Sequence, residues 1–175
     1  MYSFNRIAAT IAAASVAVAP NAHASSFEAH QQLWATLAST GIELKLNPAE
    51  CAEEPNTYGW YSGVQDELVI CQELSTTPGE EAPWTAEDLD TLRHEAHHFV
   101  QDCMRGAPMD HDLGVVYEQP LELAKDVLSL TRRATIISLY EKYGAEVVVL
   151  ELEAFAVASL NDPAEQVRDI QNFCF

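Results

Sequence analysis

Residues 85–105 carry two patterns on one helix, and together these narrow the folds open to the chain. Thr85 is placed to cap the helix, with Asp88 three residues on, and Glu87 and Asp88 suit its positive end. Gly106 and Pro108 end it. Leu89, Leu92, Ala96, Phe99, Val100 and Cys103 form an apolar stripe. At about 100° per residue, His94 and His98 lie nearly opposite that stripe. The helix therefore sets its back on a core and turns two histidines toward whatever covers or opens above them.

The remaining segments supply that core. Residues 27–39 have helical apolar spacing through Leu33, Trp34 and Leu37, and Gly41 stops them. Residues 41–55 read as a short extended piece and a loop carrying Cys51. Residues 58–74 read as a β-hairpin: Tyr58, Trp60 and Tyr61 favour strand, Ser62-Gly63 and Gln65-Asp66 give the turn, and Leu68, Val69 and Ile70 give the return. A breaker-rich loop spans 75–83. Pro120 opens a long helix over 121–143, a last helix covers 145–160, and Asn161-Asp162-Pro163 precedes a short tail. The expected fold is α+β: one mostly helical domain with a small antiparallel hairpin packed on the 85–105 helix.

The first two dozen residues stand apart. Arg6 gives a short positive region, residues 7–19 are apolar, Pro20 breaks the run, and Ala22-His23-Ala24 reads as a cleavage site. The expectation is a signal peptide over 1–24 and a single domain over 25–175, exported to the periplasm or the exterior. The run is short for a membrane span, and no later segment looks transmembrane, so no membrane attachment is expected after cleavage.

Export gives the four cysteines a reading. Cys51, Cys71, Cys103 and Cys174 contain no C-x-x-C pair, and an even number in an oxidising compartment implies two disulfides. Four cysteines allow three pairings. The preferred one is Cys51–Cys71, stapling the hairpin, with Cys103–Cys174, tying the C-terminal tail to the central helix. The chain carries 27 acidic against nine basic residues, a formal charge of −18. It lacks the basic patch that phosphates require, so neither nucleic acid nor an anionic membrane surface is an expected partner.

His94-Glu95-Ala96-His97-His98 is an H-E-x-x-H sequence. Residues four apart on a helix share a face, so both imidazoles can reach one zinc ion, while Glu95 is rotated aside to hold a water. His97, to the side of the ligand line, reads as a surface residue. A catalytic zinc takes a third protein ligand, and the candidates downstream are His111, Glu118, Glu122, Glu151 and Glu153. About fifty residues after His98 comes Glu151-Leu152-Glu153-Ala154 on a helical segment. H-E-x-x-H followed by such a helical E-x-x-A resembles the gluzincin class of zincin metallopeptidases, in a minimal, single-domain secreted form. The resemblance covers mainly residues 85–159, with the hairpin before them matching the class's upstream strand.

Within E-L-E-A two ligands compete, because Glu151 and Glu153 point about 200° apart on a helix. Glu151 lies among Val147, Val148, Ala154, Phe155 and Ala158, where a lone carboxylate is costly unless a cation neutralises it. Glu153 shares its side with Glu146, a wetter face. Burial favours Glu151. Phe155 stands where many members of the class carry an Asp that orients a zinc-bound histidine, and Asp102, one turn after His98, is a substitute to consider.

The resemblance implies a zinc-dependent peptidase with His94, His98 and Glu151 on the metal and Glu95 as general base. Tyr117, Tyr140, Tyr143 and His111 are the candidate oxyanion donors. It further implies a peptide or protein substrate added as a strand beside the segment from Glu67 to Glu73. The alternative is a secreted metal-binding or protein-interaction module that keeps the scaffold without catalysis.

Overall fold

The computed structural model describes residues 7–8, 27–54, 56–105 and 112–175. Except for Ile7 and Ala8, the expected signal peptide lies outside them, as does His111. The architecture is mostly helical α+β, as the patterning predicts. In chain order the elements are β1 (Ile7–Ala8), α1 (Phe27–Ser39), β2 (Glu43–Leu46), α2 (Ala49–Glu53), β3 (Gly59–Ser62) and β4 (Glu67–Ile70). Then come α3 (Ala86–Cys103), α4 (Pro120–Val127), α5 (Leu130–Tyr140), α6 (Ala145–Leu160) and α7 (Pro163–Phe173).

The sheet is mixed, not purely antiparallel as expected. Its order is β1-β3-β4-β2; β3 and β4 form the predicted hairpin, and β2 joins β4 in parallel. The segment before Cys51 is therefore a sheet strand. The pairing also corrects the expected docking edge. The strand beginning at Glu67 is paired on both sides, so the segment from Glu67 to Glu73 offers no free edge there; the outer strand next to it is β3, which pairs with the two residues of β1.

Two helix expectations change for local reasons. The long helix over 121–143 is broken, because Leu128 is extended (φ −96°, ψ 137°) and the Ser129 side chain caps a new helix by accepting from the Arg132 N–H. A serine hydroxyl that can take a backbone N–H favours a fresh start over continuation. The tail beyond Pro163 is a further helix, α7, with Asp162 as its N-cap accepting from the Glu165 N–H. The capping box at α3 forms as predicted: Thr85 accepts from Asp88 N–H, and Asp88 accepts from Thr85 N–H at 2.7 Å.

Helix α3 lies between two apolar cores. On one side Leu92, Ala96, Phe99, Val100 and Cys103 pack with Leu33 and Leu37 of α1, Leu68 and Ile70 of β4, and Val167 and Ile170 of α7. Beyond its other side α6 carries a second core, in which Val147, Leu152, Phe155 and Ala156 meet Ala124, Leu128, Ile136 and Tyr140. Ala154 and Ala158 are fully buried, as close helix approach requires, and the Arg93 guanidinium donates to the Ala158 carbonyl at 2.9 Å near the end of α6. The disulfides pair as preferred, Cys51–Cys71 and Cys103–Cys174, and the second closes a separation of 71 residues. Among the described residues no helix is long and apolar enough to cross a membrane.

Candidate metal centre

Between the two cores, the seam of α3 and α6 is polar. His94, His97, His98 and Gln101 face it from α3, and Glu151 and Glu153 face it from α6, all at 2% exposure or less. Apolar helices can enclose such a row only if its members satisfy one another or something they bind.

His94, His98 and Glu151 converge. The two Nε2 atoms are 3.0 Å apart, and Glu151 carboxylate oxygens lie 3.4 Å from His94 Nε2 and 3.5 Å from His98 Nε2. These three form a buried group that can hold a metal ion. Glu151, not Glu153, stands beside these two histidines. Glu153 does not occupy a wet face; it is as buried as Glu151 and binds His97, which is not a surface residue but fully enclosed.

Electrostatics follow from this packing. Burial alone would keep Glu151 protonated, but the His98 charge and the two imidazoles beside it outweigh it and bring its pKa down to about 2. Burial opposes charge on His98 as well, yet the adjacent Glu151 carboxylate raises it to about 9. His94 is pushed down by burial, and its Nε2 stands 3.0 Å from the His98 Nε2. Glu95 is fully enclosed, and burial raises it to about 8, with His98 pulling down and Glu151 pushing up. Neither Glu95 oxygen has a well-formed hydrogen bond, although the Tyr61 backbone is near enough to favour the ionised form weakly.

Each histidine is oriented differently. The His98 Nδ1 meets the Gln101 side-chain oxygen at 2.7 Å. His94 instead packs its ring on Phe155, with centroids 4.2 Å apart, and its Nδ1 has no hydrogen-bond partner. Phe155 thus positions a histidine by contact where an acid was expected to do so by hydrogen bonding. Asp102, considered for that role, instead accepts from the Tyr61 hydroxyl. Gln101 is the residue the sequence reasoning missed; its spacing, one turn after His98, was the available signal.

The tyrosines considered as oxyanion donors are scattered. Tyr143 is exposed, Tyr140 is buried in the second core near Phe155, and Tyr117 stands beside His97 with its backbone N–H on Glu153. Glu118 and Glu122 are exposed, away from the buried group. Strand β3 passes beside Glu95: a Cβ added to Gly59 would stand 3.5 Å from Glu95 Cγ, and 2.5 Å from the Val69 carbonyl oxygen. Comparison with protein-family models, with curated proteins and with solved structures finds no match to this chain.

Proposed function

We propose that this chain is an exported zinc-dependent metallopeptidase in which His94, His98 and Glu151 hold the ion and Glu95 is the general base. The observation that carries the reading is the donor triangle. Around a tetrahedral zinc with donors at about 2.0–2.1 Å, neighbouring donors stand roughly 3.3 Å apart; here the two imidazole nitrogens are 3.0 Å apart, with one Glu151 oxygen 3.4 Å from His94 and the other 3.5 Å from His98. Two imidazoles and one carboxylate also match the donor set of hydrolytic zinc sites.

The unpaired atoms support the same reading. Both oxygens of Glu151 and both of Glu95 lack well-formed hydrogen bonds in a fully buried setting, which is costly unless a ligand completes them. A bound zinc would supply a Lewis acid for the scissile carbonyl and for the attacking water. Glu95 would take a proton from that water and return it to the leaving amine. A peptide would be held along β3, whose outer edge takes Ile7–Ala8 as an antiparallel strand, Ile7 opposite Tyr61 and Ala8 opposite Trp60. Cleavage of the expected leader would vacate that edge for a substrate strand. The leader and the two disulfides together support export.

One observation favours a second reading. His94, Glu95, His98 and Glu151 are each at most 2% exposed, as in a closed structural metal site. In that case the chain would be a secreted metal-binding module without catalysis.

Metal analysis and a peptide library separate the outcomes. The mature protein should hold close to one zinc, lost in His98→Ala. It should cleave extended peptides, and Glu95→Gln should lower the rate by about 10²–10⁴-fold while keeping the zinc. Zinc without cleavage would establish the second reading; no zinc at all would remove both.

A further inference from the structure

Gln101 occupies a defined place between the two halves of the seam. Its Nε2 donates to the Leu150 carbonyl at 3.1 Å and to a Glu153 oxygen at 2.7 Å. A carbonyl and an ionised carboxylate can only accept, so the amide nitrogen must face them. The amide oxygen is then the atom turned to His98 Nδ1, at 2.7 Å. Only an Nδ1–H can meet it.

Glu153 keeps that arrangement rigid. Besides Gln101 it accepts from His97 Nε2 at 3.2 Å, from the Val116 N–H at 3.1 Å and from the Tyr117 N–H at 2.8 Å. Every one of these groups is a donor, so Glu153 has no tendency to release the Gln101 amide or turn it over. The chain of direction runs from the backbone at 116–117 through Glu153 and Gln101 to one ring nitrogen of His98.

We propose that Gln101, locked by Glu153, is the positioning residue that holds His98 as the Nδ1–H tautomer and so presents the Nε2 lone pair to the metal. The inference rests on His94, His98 and Glu151 being a metal centre. It assigns to a buried amide the task that a carboxylate commonly performs for a metal-bound histidine. With the other tautomer, an Nε2–H would point into the donor triangle, and His98 could not ligate.

Gln101→Met tests the role, because it removes the amide and leaves Glu153 with its other donors. In ¹⁵N-histidine-labelled, zinc-free protein at a pH where His98 is neutral, the wild type should show Nδ1–H at His98 and Gln101→Met should show Nε2–H. Zinc affinity should fall about 10–100-fold. The exchange variant, Gln101→Glu with Glu153→Gln, again offers an acceptor to His98, so Nδ1–H should return and affinity should recover to within about tenfold of wild type. An Nδ1–H that persists in Gln101→Met overturns the proposal, as does an exchange variant that recovers neither tautomer nor affinity. Zinc uptake by the wild type is read separately. Its absence sinks the metal centre itself, whereas normal uptake with an unmoved tautomer sinks only the role of Gln101.

Discussion

Glu151 and Glu153 are two residues apart on one helix, equally buried, and each faces a histidine of α3, yet their surroundings are opposite in kind. Glu153 collects donors from His97, Gln101, Val116 and Tyr117. Glu151 has two imidazole nitrogens at 3.4 and 3.5 Å and no well-formed hydrogen bond on either oxygen. Beside it stands Glu95, whose oxygens lack well-formed hydrogen bonds too. Buried polar atoms are normally satisfied. A carboxylate saturated by protein donors is therefore a structural clamp, and unsatisfied donors and acceptors gathered at one point mark a place for something bound. Burial alone does not tell the two apart; the hydrogen-bond count does.

Removing one member from each half gives the largest contrast. His97→Ala takes a donor from a buried carboxylate and leaves a cavity, and should cost about 2–4 kcal/mol in denaturant unfolding. It should leave zinc stoichiometry unchanged, since Glu153 keeps Gln101 in place. Glu151→Gln should do the reverse for the metal, abolishing stoichiometric uptake measured by metal analysis. If His97→Ala also emptied the site, the clamp and the centre would be one unit and the comparison would fail.

A smaller effect is expected at Gly59, where β3 approaches the Glu95 half. An added Cβ would stand 2.5 Å from the Val69 carbonyl oxygen and 2.8 Å from Thr91 Cγ2. The strand must then move off α3, so Gly59→Ala should lower stability by about 1–3 kcal/mol. Peptide cleavage should fall with it while zinc content stays. Unchanged cleavage would separate β3 from the working half of the seam.

Much of this was legible in the sequence, and the misses share a cause. The capping box at Thr85, the apolar stripe from Leu92 to Cys103 and the preference for Glu151 follow from helical geometry and the cost of a lone carboxylate. His97 and Glu153 were assigned to wet surfaces because helical periodicity says which residues share a face, not what covers that face. Here α6 covers one side of α3 while the sheet and α7 cover the other, so every α3 residue from Thr91 to Cys103 is buried. Gln101 escaped notice for the same reason, since an amide acquires meaning only from the partners that fix its two ends. The helix break at Ser129 and the helix after Asp162 were readable as caps, and were passed over for longer-range patterns.

The smallest effect is a drift with pH, to which Glu151, His98 and Glu95 contribute together with Glu153 on the acid side. Glu151 falls from its ordinary 4.5 to about 2, so its contribution to zinc-free stability is complete above 4.5 and is lost as pH drops toward 2. His98 rises from 6.5 to about 9, so its contribution is complete below 6.5 and is lost as pH climbs through 9. Glu95 rises from 4.5 to about 8, and its contribution is likewise lost on the alkaline side, from 4.5 upward. The zinc-free protein should therefore be most stable at mildly acidic pH and weaken toward pH 9. Zinc has the opposite slope, because it must displace the proton from His98 Nε2 and so binds more tightly as pH rises. The gap between melting temperatures with zinc and with a chelator should widen steadily from acidic to alkaline buffer. Glu151→Gln should flatten the zinc-free profile on both sides, since it removes the charge that holds His98 protonated, whereas His97→Ala should change its acid side alone, where Glu153 loses the partner that holds its carboxyl down. A gap that stays constant with pH would mean that no proton leaves the site when zinc enters. The unsatisfied half of the seam would then be no metal centre, and its contrast with Glu153 would lose its meaning.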